Sequence, residues 1–493
     1  MIKYKSTRGN SAEKTAAQAV IQGLAEDRGL FVPDSLPKLP FRISEMTGKP
    51  YKEVAEAVIS AFFTDYTQEE IRFCTDGAYD AKFEADDIVT LSAAGDAYFL
   101  ELYHGKTAAF KDMALSILPY LLTTAVKKEK EDKKIAILTA TSGDTGKAAL
   151  EGFADVEGTE IIVFFPSDGV SEVQKRQMTT QTGKNTHVFA IHGNFDDAQT
   201  GVKKIFNDDS FRSGLAENGI RLSSANSINI GRLVPQVAYY VYAYLKLVEN
   251  GTVREGEKIN IVVPTGNFGN ILAAYYASKM GIPVNKFICA SNKNKVLTDF
   301  INTGIYDINR EFYCTNSPSM DILISSNLER LLYHLSGGDG DEISRLMDCL
   351  ERDKKYQVND AVREGMSCFY GGFADEEETE QAIAEMYEKH GYLIDTHTAV
   401  AYKVYEDYKK ATGDDTPAVI ASTASAYKFA ASVADALGMP EESDGFAYVR
   451  ALSEKTGVPV PSGLKDLDKK EILHDTVIER TELAKAVIES LGI

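Results

Sequence analysis

The chain runs to 493 residues, 44% of them hydrophobic, which is ample for a large buried core and for more than one folded unit. Its formal net charge of -20 repels nucleic acid and anionic membrane surfaces and argues against both as partners. Five cysteines stand apart at Cys74, Cys289, Cys314, Cys349 and Cys368, with no CxxC pair, so a reducing compartment is expected rather than a disulfide framework. The opening MIKYKSTRGNSAEKT is polar with no apolar leader core, and no apolar run reaches bilayer length. A soluble, cytoplasmic protein is the expectation.

In chain order, residues 12–25 (AEKTAAQAVIQGLA) predict a short helix, and GLFVPDSLPKLP a strand-like piece closed by prolines. Residues 50–90 read as mainly helical, with apolar residues at helical spacing. YFLELYHG (98–105) predicts a strand, followed by a helix in FKDMALSILPYLLTTAVKK that Pro119 interrupts. From residue 131 the pattern becomes strand, turn, helix. KIAILTA (134–140) leads through TSGDTG (141–146) into KAALEGFA, and EIIVFFPSD (160–168) leads into EVQKRQMTTQ. THVFAIHG (186–193) then leads into DDAQTGVKKIFND, and this rhythm predicts a parallel sheet. A polar RLSSANSINIGR precedes the helix LVPQVAYYVYAYLKLV, and KINIVVPTGNFGNILAAYYASKMG (258–281) repeats the strand–turn–helix unit, with KFICAS as a further strand. The charged stretch 336–357 reads as a solvated insertion. Residues 372–410 predict two helices, the second starting near His397, and AVIASTASAYKF (418–429) a strand with a polar turn. Charged helices and short loops fill the last 60 residues.

Three glycine-bearing turns follow strong strands: SGDTG (142–146), TGNFG (265–269) and, more weakly, His104–Gly105. Ligands collect at the carboxyl ends of parallel strands, and clustered backbone N–H groups at a helix start hold phosphate even in an acidic protein. Neither long turn is a dinucleotide GxGxxG or a Walker A loop. No HExxH, no metal-spaced Cys/His cluster and no GxSxG occurs, so no metal site is expected. Lys111 stands among Ala109, Phe110, Met113 and Ala114, where desolvation would make a better amine for a Schiff base; snorkelling beside Asp112 is the plainer reading.

These segments, in order, resemble the threonine synthase family over nearly the whole chain. The resemblance rests on YKSTRGN (4–10), QGLAEDRGLFVP (22–33), LYHGKTAAFKDMAL (102–115), TATSGDTGKAAL (139–150), FFPSDGVSEVQKRQM (164–178), NSINIGRLVPQVAYY (226–240), VPTGNFGNILAAYYA (263–277) and DTHTAVAY (395–402). It implies a fold-type II pyridoxal-phosphate (PLP) enzyme, α/β, with two parallel-sheet domains flanking the active site and an N-terminal, mostly helical region. The implied division is 1–95 for that region, 131–222 for a smaller domain, and 96–130 with 223–493 for the larger PLP-binding domain.

By the same resemblance, Lys111 forms the Schiff base with PLP and later shuttles protons, while Gly266, Asn267, Phe268, Gly269 and Asn270 cup its phosphate and Thr423 sits near its ring nitrogen. Ser142, Gly143, Asp144 and Thr145, in a loop closed by Gly146, would face the substrate, as would Asn226, Ser227, Asn229 and Arg232. The carboxylate of Asp144 repels anions, so shaping the loop suits it better than touching phosphate. The implied reaction takes O-phospho-L-homoserine and water to L-threonine and phosphate, in a monomer or homodimer. Two rivals stand beside it: a serine/threonine dehydratase or β-replacement synthase of the same fold, and a non-catalytic relative that binds a phosphorylated ligand. Intact Lys111 and an intact cup argue against the second. The chain departs from the family wording at Lys106 (HGKT for HGPT), at Ser425 and Ala426 (TASAYKF for TAHPAKF) and at Arg28, where Gly is usual. Lys106 facing the site would add positive charge, and facing solvent would mean little. His104 and His397 read better as structural groups than as catalysts, with His397, Thr396 or Thr398 capping the helix that follows.

Overall fold

The computed structural model describes residues 1–85, 87–168 and 170–493; Asp86 of the predicted 50–90 helical stretch and Gly169 of FFPSDGVSEVQKRQM lie outside the described residues. The strands are β1 (Tyr4–Ser6), β2 (Phe31–Pro33), β3 (Thr90–Ala94), β4 (Ala97–Glu101), β5 (Lys134–Ala140), β6 (Thr159–Pro166), β7 (Thr186–His192), β8 (Ile220–Ser224), β9 (Ile259–Pro264), β10 (Val284–Ser291), β11 (Ile305–Asp307), β12 (Lys355–Gln357), β13 (Phe369–Phe373), β14 (Ala418–Ser422) and β15 (Val477–Glu479). Two sheets dominate. The larger has the order β13-β10-β9-β14-β4-β3 and the smaller β15-β7-β6-β5-β8. Every pairing in the smaller sheet is parallel, and in the larger only β3 runs antiparallel, as the edge partner of β4.

Continuous apolar runs such as INIVVP and AVIAS are buried along their whole length. That is what strands covered by helices on both faces require. In the larger sheet, Ile420 of β14 stands opposite Val262 of β9, and Ser422 opposite Glu101 of β4. This register brings the residues that follow three carboxyl ends to one edge, where ligands gather in such sheets. Along the helix Ile230–Glu249 nearly every side chain is buried, and the N-terminal helix Tyr51–Phe62 packs on it. Tyr51 makes edge-to-face contacts with Tyr79 and Tyr242 at 5.2 and 5.4 Å there. No helix among the described residues is long and apolar enough to cross a membrane.

The helices and strands depart from the sequence expectations where an element is short or polar. RLSS belongs to the edge strand β8 rather than to a polar lead-in. The supposed insertion 336–357 folds as the helix Gly340–Asp353, with Ile343, Leu346 and Leu350 turned inward, and β12, which pairs with β11. Pro119 falls in the first turn of Leu118–Glu129, where its missing N–H costs nothing, and Asp112–Leu115 forms a separate short helix. The expected division at residue 95 cuts the β3–β4 hairpin, so β3 goes with the larger sheet. The expected 223–493 unit is not continuous either. β15 pairs with β7, and Leu483, Ala486 and Val487 of the helix Leu483–Leu491 complete the smaller sheet's core.

Candidate active site

The loop after β9 turns sharply at Phe268, a non-glycine residue at φ 61°, and opens the helix Gly269–Met280. Asn327 holds its outer side by donating to the Asn267 carbonyl through both its backbone N–H (3.1 Å) and Nδ2 (2.9 Å). Ser325 Oγ donates to the Gly266 carbonyl at 2.7 Å. A Cβ at Gly266 would come within 2.6 Å of the Ser319 carbonyl oxygen, so only glycine fits. The N–H groups of Gly266 to Asn270 find no acceptor among the described residues. Tyr239 OH donates to Asn270 Oδ1 at 2.8 Å, Tyr240 OH does the same, and Asn270 Nδ2 has no partner. Arg232 is wholly buried without a carboxylate; it donates to the Ala225 carbonyl, its Nε has no partner, and burial pushes it down to about 10. Buried donors without acceptors are costly unless an anion meets them.

One cavity gathers Lys111, Ser142, Thr145, Asn226, Ser227, Arg232, Gly266 to Asn270 and Thr423. Backbone contacts lock the two flanking turns together there: Phe110 N–H donates to the Thr423 carbonyl at 2.8 Å, and Ser425 N–H to the Ala108 carbonyl at 3.0 Å. Lys111 Nζ lies 3.5 Å from Asp144 Oδ2 and 5.2 Å from the centre of the Phe110 ring. Burial pushes the Lys111 amine down, Asp144 pulls it back up, and the charges of Lys428 and Arg232 push it down again. Burial alone would raise the Asp144 carboxyl, but Lys428 and Lys111 outweigh it and hold the group well below the ordinary carboxylate range.

Gly143 and Asp144 do not line this cavity but shape the loop behind it. Thr141 Oγ1 accepts from the N–H groups of Gly143 and Gly146, both at 2.9 Å. Gly143 has φ 139°, and a Cβ there would meet the Gln174 carboxamide at 2.6 Å. Asn229 also stands apart: it caps Ile230–Glu249 and donates to the Val20 and Ser224 carbonyls, both at 3.0 Å. Lys106 faces outward and pairs with Glu151 at 3.0 Å, and His104 pairs with Glu101 at 2.7 Å. Arg28 has φ 66°, the conformation that explains why glycine is usual at that position.

His397 is a cavity residue, and the cap of its helix is Asp395, which accepts from the His397 and Thr398 N–H groups. His397 Nε2 accepts from the Ser319 N–H at 3.1 Å, so the ring proton sits on Nδ1, 2.9 Å from Asp395 Oδ1. Sequence reasoning missed Ser319, in the cavity wall, and Lys428, whose ammonium lies 2.7 Å from Asp144 Oδ1. For Lys428 a signal existed, a lysine flanked by Tyr427 and Phe429 just after a core strand. For Ser319 there was none.

Three family models match in succession: threonine synthase N terminus over residues 3–79, pyridoxal-phosphate dependent enzyme over 89–424, and threonine synthase, C-terminal, over 398–488. With the two helix-covered sheets and the buried lysine facing unpaired anion donors, they define a fold-type II pyridoxal-phosphate-dependent enzyme. A threonine synthase of Pseudomonas aeruginosa is 38% identical over 98% of this chain and 97% of its own. The crystal structure of a PLP-bound threonine synthase from Brucella melitensis superposes with a TM-score of 0.87 at 34% identity, covering 99% of each chain. The chain belongs to the threonine synthase family. It is also 39% identical to the human protein called threonine synthase-like 1, and spans 95% of itself but 63% of that relative's length. The orphaned donors of Asn270 and Arg232 and the free N–H groups of Gly266 to Asn270 fit a phosphorylated cofactor and a second anion beside it.

Proposed function

We propose that the chain converts O-phospho-L-homoserine and water to L-threonine and phosphate, in the cytoplasm, as a monomer or homodimer. Lys111, Gly266, Asn267, Phe268, Gly269, Asn270 and Thr423 would hold pyridoxal 5′-phosphate. The observation that carries this reading is one cavity in which a buried amine meets two sets of anion donors, the Gly266–Asn270 turn and the Arg232 guanidinium. When bound, the cofactor supplies an electrophilic ring that accepts the electron pair released at the substrate Cα.

Lys111, its amine held down by burial, acts as a general base twice: it takes the Cα proton and hands it to the substrate phosphate, then takes one Cβ proton as that phosphate leaves and returns it at Cγ. Arg232, Ser142, Thr145, Asn226 and Ser227 would bind the substrate, with Arg232 meeting the charge that grows on the departing phosphate. Gly143 and Asp144 hold the loop that carries Ser142 and Thr145. Water then adds its hydroxyl at Cβ and its proton at Cα.

The test is an absorbance spectrum of the protein incubated with PLP, beside Lys111→Ala, followed by addition of O-phosphohomoserine. The expected result is a visible band in the parent alone, with threonine and phosphate released one to one. A band with turnover of serine or threonine, and none of O-phosphohomoserine, would move the activity to a dehydratase.

A further inference from the structure

We propose that Lys428 is a positioning residue for this chemistry: it draws the Asp144 carboxylate away from the Lys111 amine, and so keeps that amine free to take a proton. The inference rests on the role given to Lys111 above and adds a residue that role does not use. Lys428 lies in the single turn Ala426–Phe429 after β14 of the larger sheet, whereas Asp144 opens the helix Asp144–Phe153 of the smaller. The pair therefore crosses between the two sheets.

Lys428 is wholly buried. Its Nζ sits 2.7 Å from Asp144 Oδ1 and donates to the Thr107 carbonyl at 2.8 Å. Gln174 Nε2 donates to the same carboxylate oxygen at 2.8 Å. The other oxygen, Oδ2, receives the longer contacts, 3.5 Å to Lys111 and 3.4 Å to Ser319 Oγ. One carboxylate thus stands between two ammonium groups and binds more closely the one that does not line the cavity.

A carboxylate buried beside a single amine pairs with it and holds it protonated, which disables a base. Lys428 prevents this twice over, by taking up most of the Asp144 charge and by repelling a second positive charge at Lys111. The other groups facing this cluster do not replace it. Arg232 acts on Lys111 in the same direction as Lys428 but has no contact with Asp144. Ser319 is neutral, and His397 behind it is occupied by Asp395. Asp112 sits near Lys428 but is engaged by the Thr107 N–H and hydroxyl, at 2.8 and 2.6 Å.

The test uses cofactor-loaded parent, Lys428→Met, Lys428→Arg, Asp144→Asn and the double variant Asp144→Asn/Lys428→Met. Two quantities are followed: the pH midpoint of the cofactor's visible band without substrate, and the acid limb of kcat. In Lys428→Met both are expected to move to higher pH by about one unit, and Lys428→Arg to restore them. Asp144→Asn should move both to lower pH. Should Lys428→Met fail to fold, the double variant, which removes both members of the buried Lys428–Asp144 pair, is compared with Asp144→Asn and should lie above it. Hydrogen exchange over residues 141–153 reports the structural share of the pair. Faster exchange with an unmoved midpoint overturns the proposal, as does a double variant that titrates with Asp144→Asn. Because the band is read without substrate, absent threonine formation would sink the proposed reaction and leave this test standing.

Discussion

Single atoms decide most of what the cavity can bind. Arg232 carries a buried positive charge that no carboxylate neutralises, so it is held ready for a ligand anion. Losing a hydrogen bond to a charged group costs about 1.5–3 kcal/mol. Arg232→Met is accordingly expected to raise KM for O-phosphohomoserine by about tenfold or more, with the circular-dichroism spectrum unchanged; an unaltered KM would remove Arg232 from the substrate site. Gly266→Ala forces a methyl group to 2.6 Å from the Ser319 carbonyl oxygen. Cofactor retention, followed by dialysis and absorbance, should fall by an order of magnitude or so. Much of this was legible beforehand. Lys111, Ser142, Thr145, Asn226, Ser227, Arg232, the 266–270 turn and Thr423 share one cavity because each follows a core strand or opens a helix, and such positions are marked by glycine and short polar residues. Lys428 and Ser319 escaped notice because their relevance depends on chain separated from them by more than a hundred residues, as the Ser319–Asp144 bond illustrates (|i−j| of 175).

Among the elements, the helix Leu328–Leu335 makes a separate electrostatic prediction. His334 Nε2 meets the Tyr276 hydroxyl at 2.8 Å, and burial, with Arg330 and Lys279 nearby, pushes the ring down to about 4. The folded group is therefore harder to protonate than the unfolded one. Its contribution to stability is complete above pH 6.5 and is lost progressively as pH falls towards 4. The loss amounts to about 3 kcal/mol. Urea midpoints measured through that window should fall less steeply in His334→Gln than in the parent; parallel slopes would disprove the assignment. Elements as a class were legible in proportion to their apolar length. β5, β6 and β9 run to seven, eight and six residues and, like the five-residue central strand β14, are apolar and buried almost throughout, whereas β8 and β15 are edge strands of five and three residues. An edge strand needs few apolar side chains, and its pairing partner lies far off in the chain.

At the level of the whole molecule, the C-terminal segment ties the two sheets into one chain order that local sequence does not reveal. Leu483, Ala486 and Val487 close the face that carries Ala198, Val202 and Ile205. Removing residues 477–493 should destabilise the smaller sheet by about 4 kcal/mol from lost apolar burial. Hydrogen exchange would then accelerate in β5 to β8 while β9, β10 and β14 stay protected; uniform acceleration would mean that the two sheets unfold as one. The same connection bears on how the protein is made. The chain that follows β8 must build most of the larger sheet, through residues 225–476, before β15 appears. At a synthesis rate of about 5–20 residues per second, the smaller sheet waits roughly 10–50 seconds on the ribosome with one edge and one apolar face uncovered. A nascent chain arrested before residue 477 should therefore recruit chaperones to the β7 edge, and one arrested after the chain has fully emerged should not.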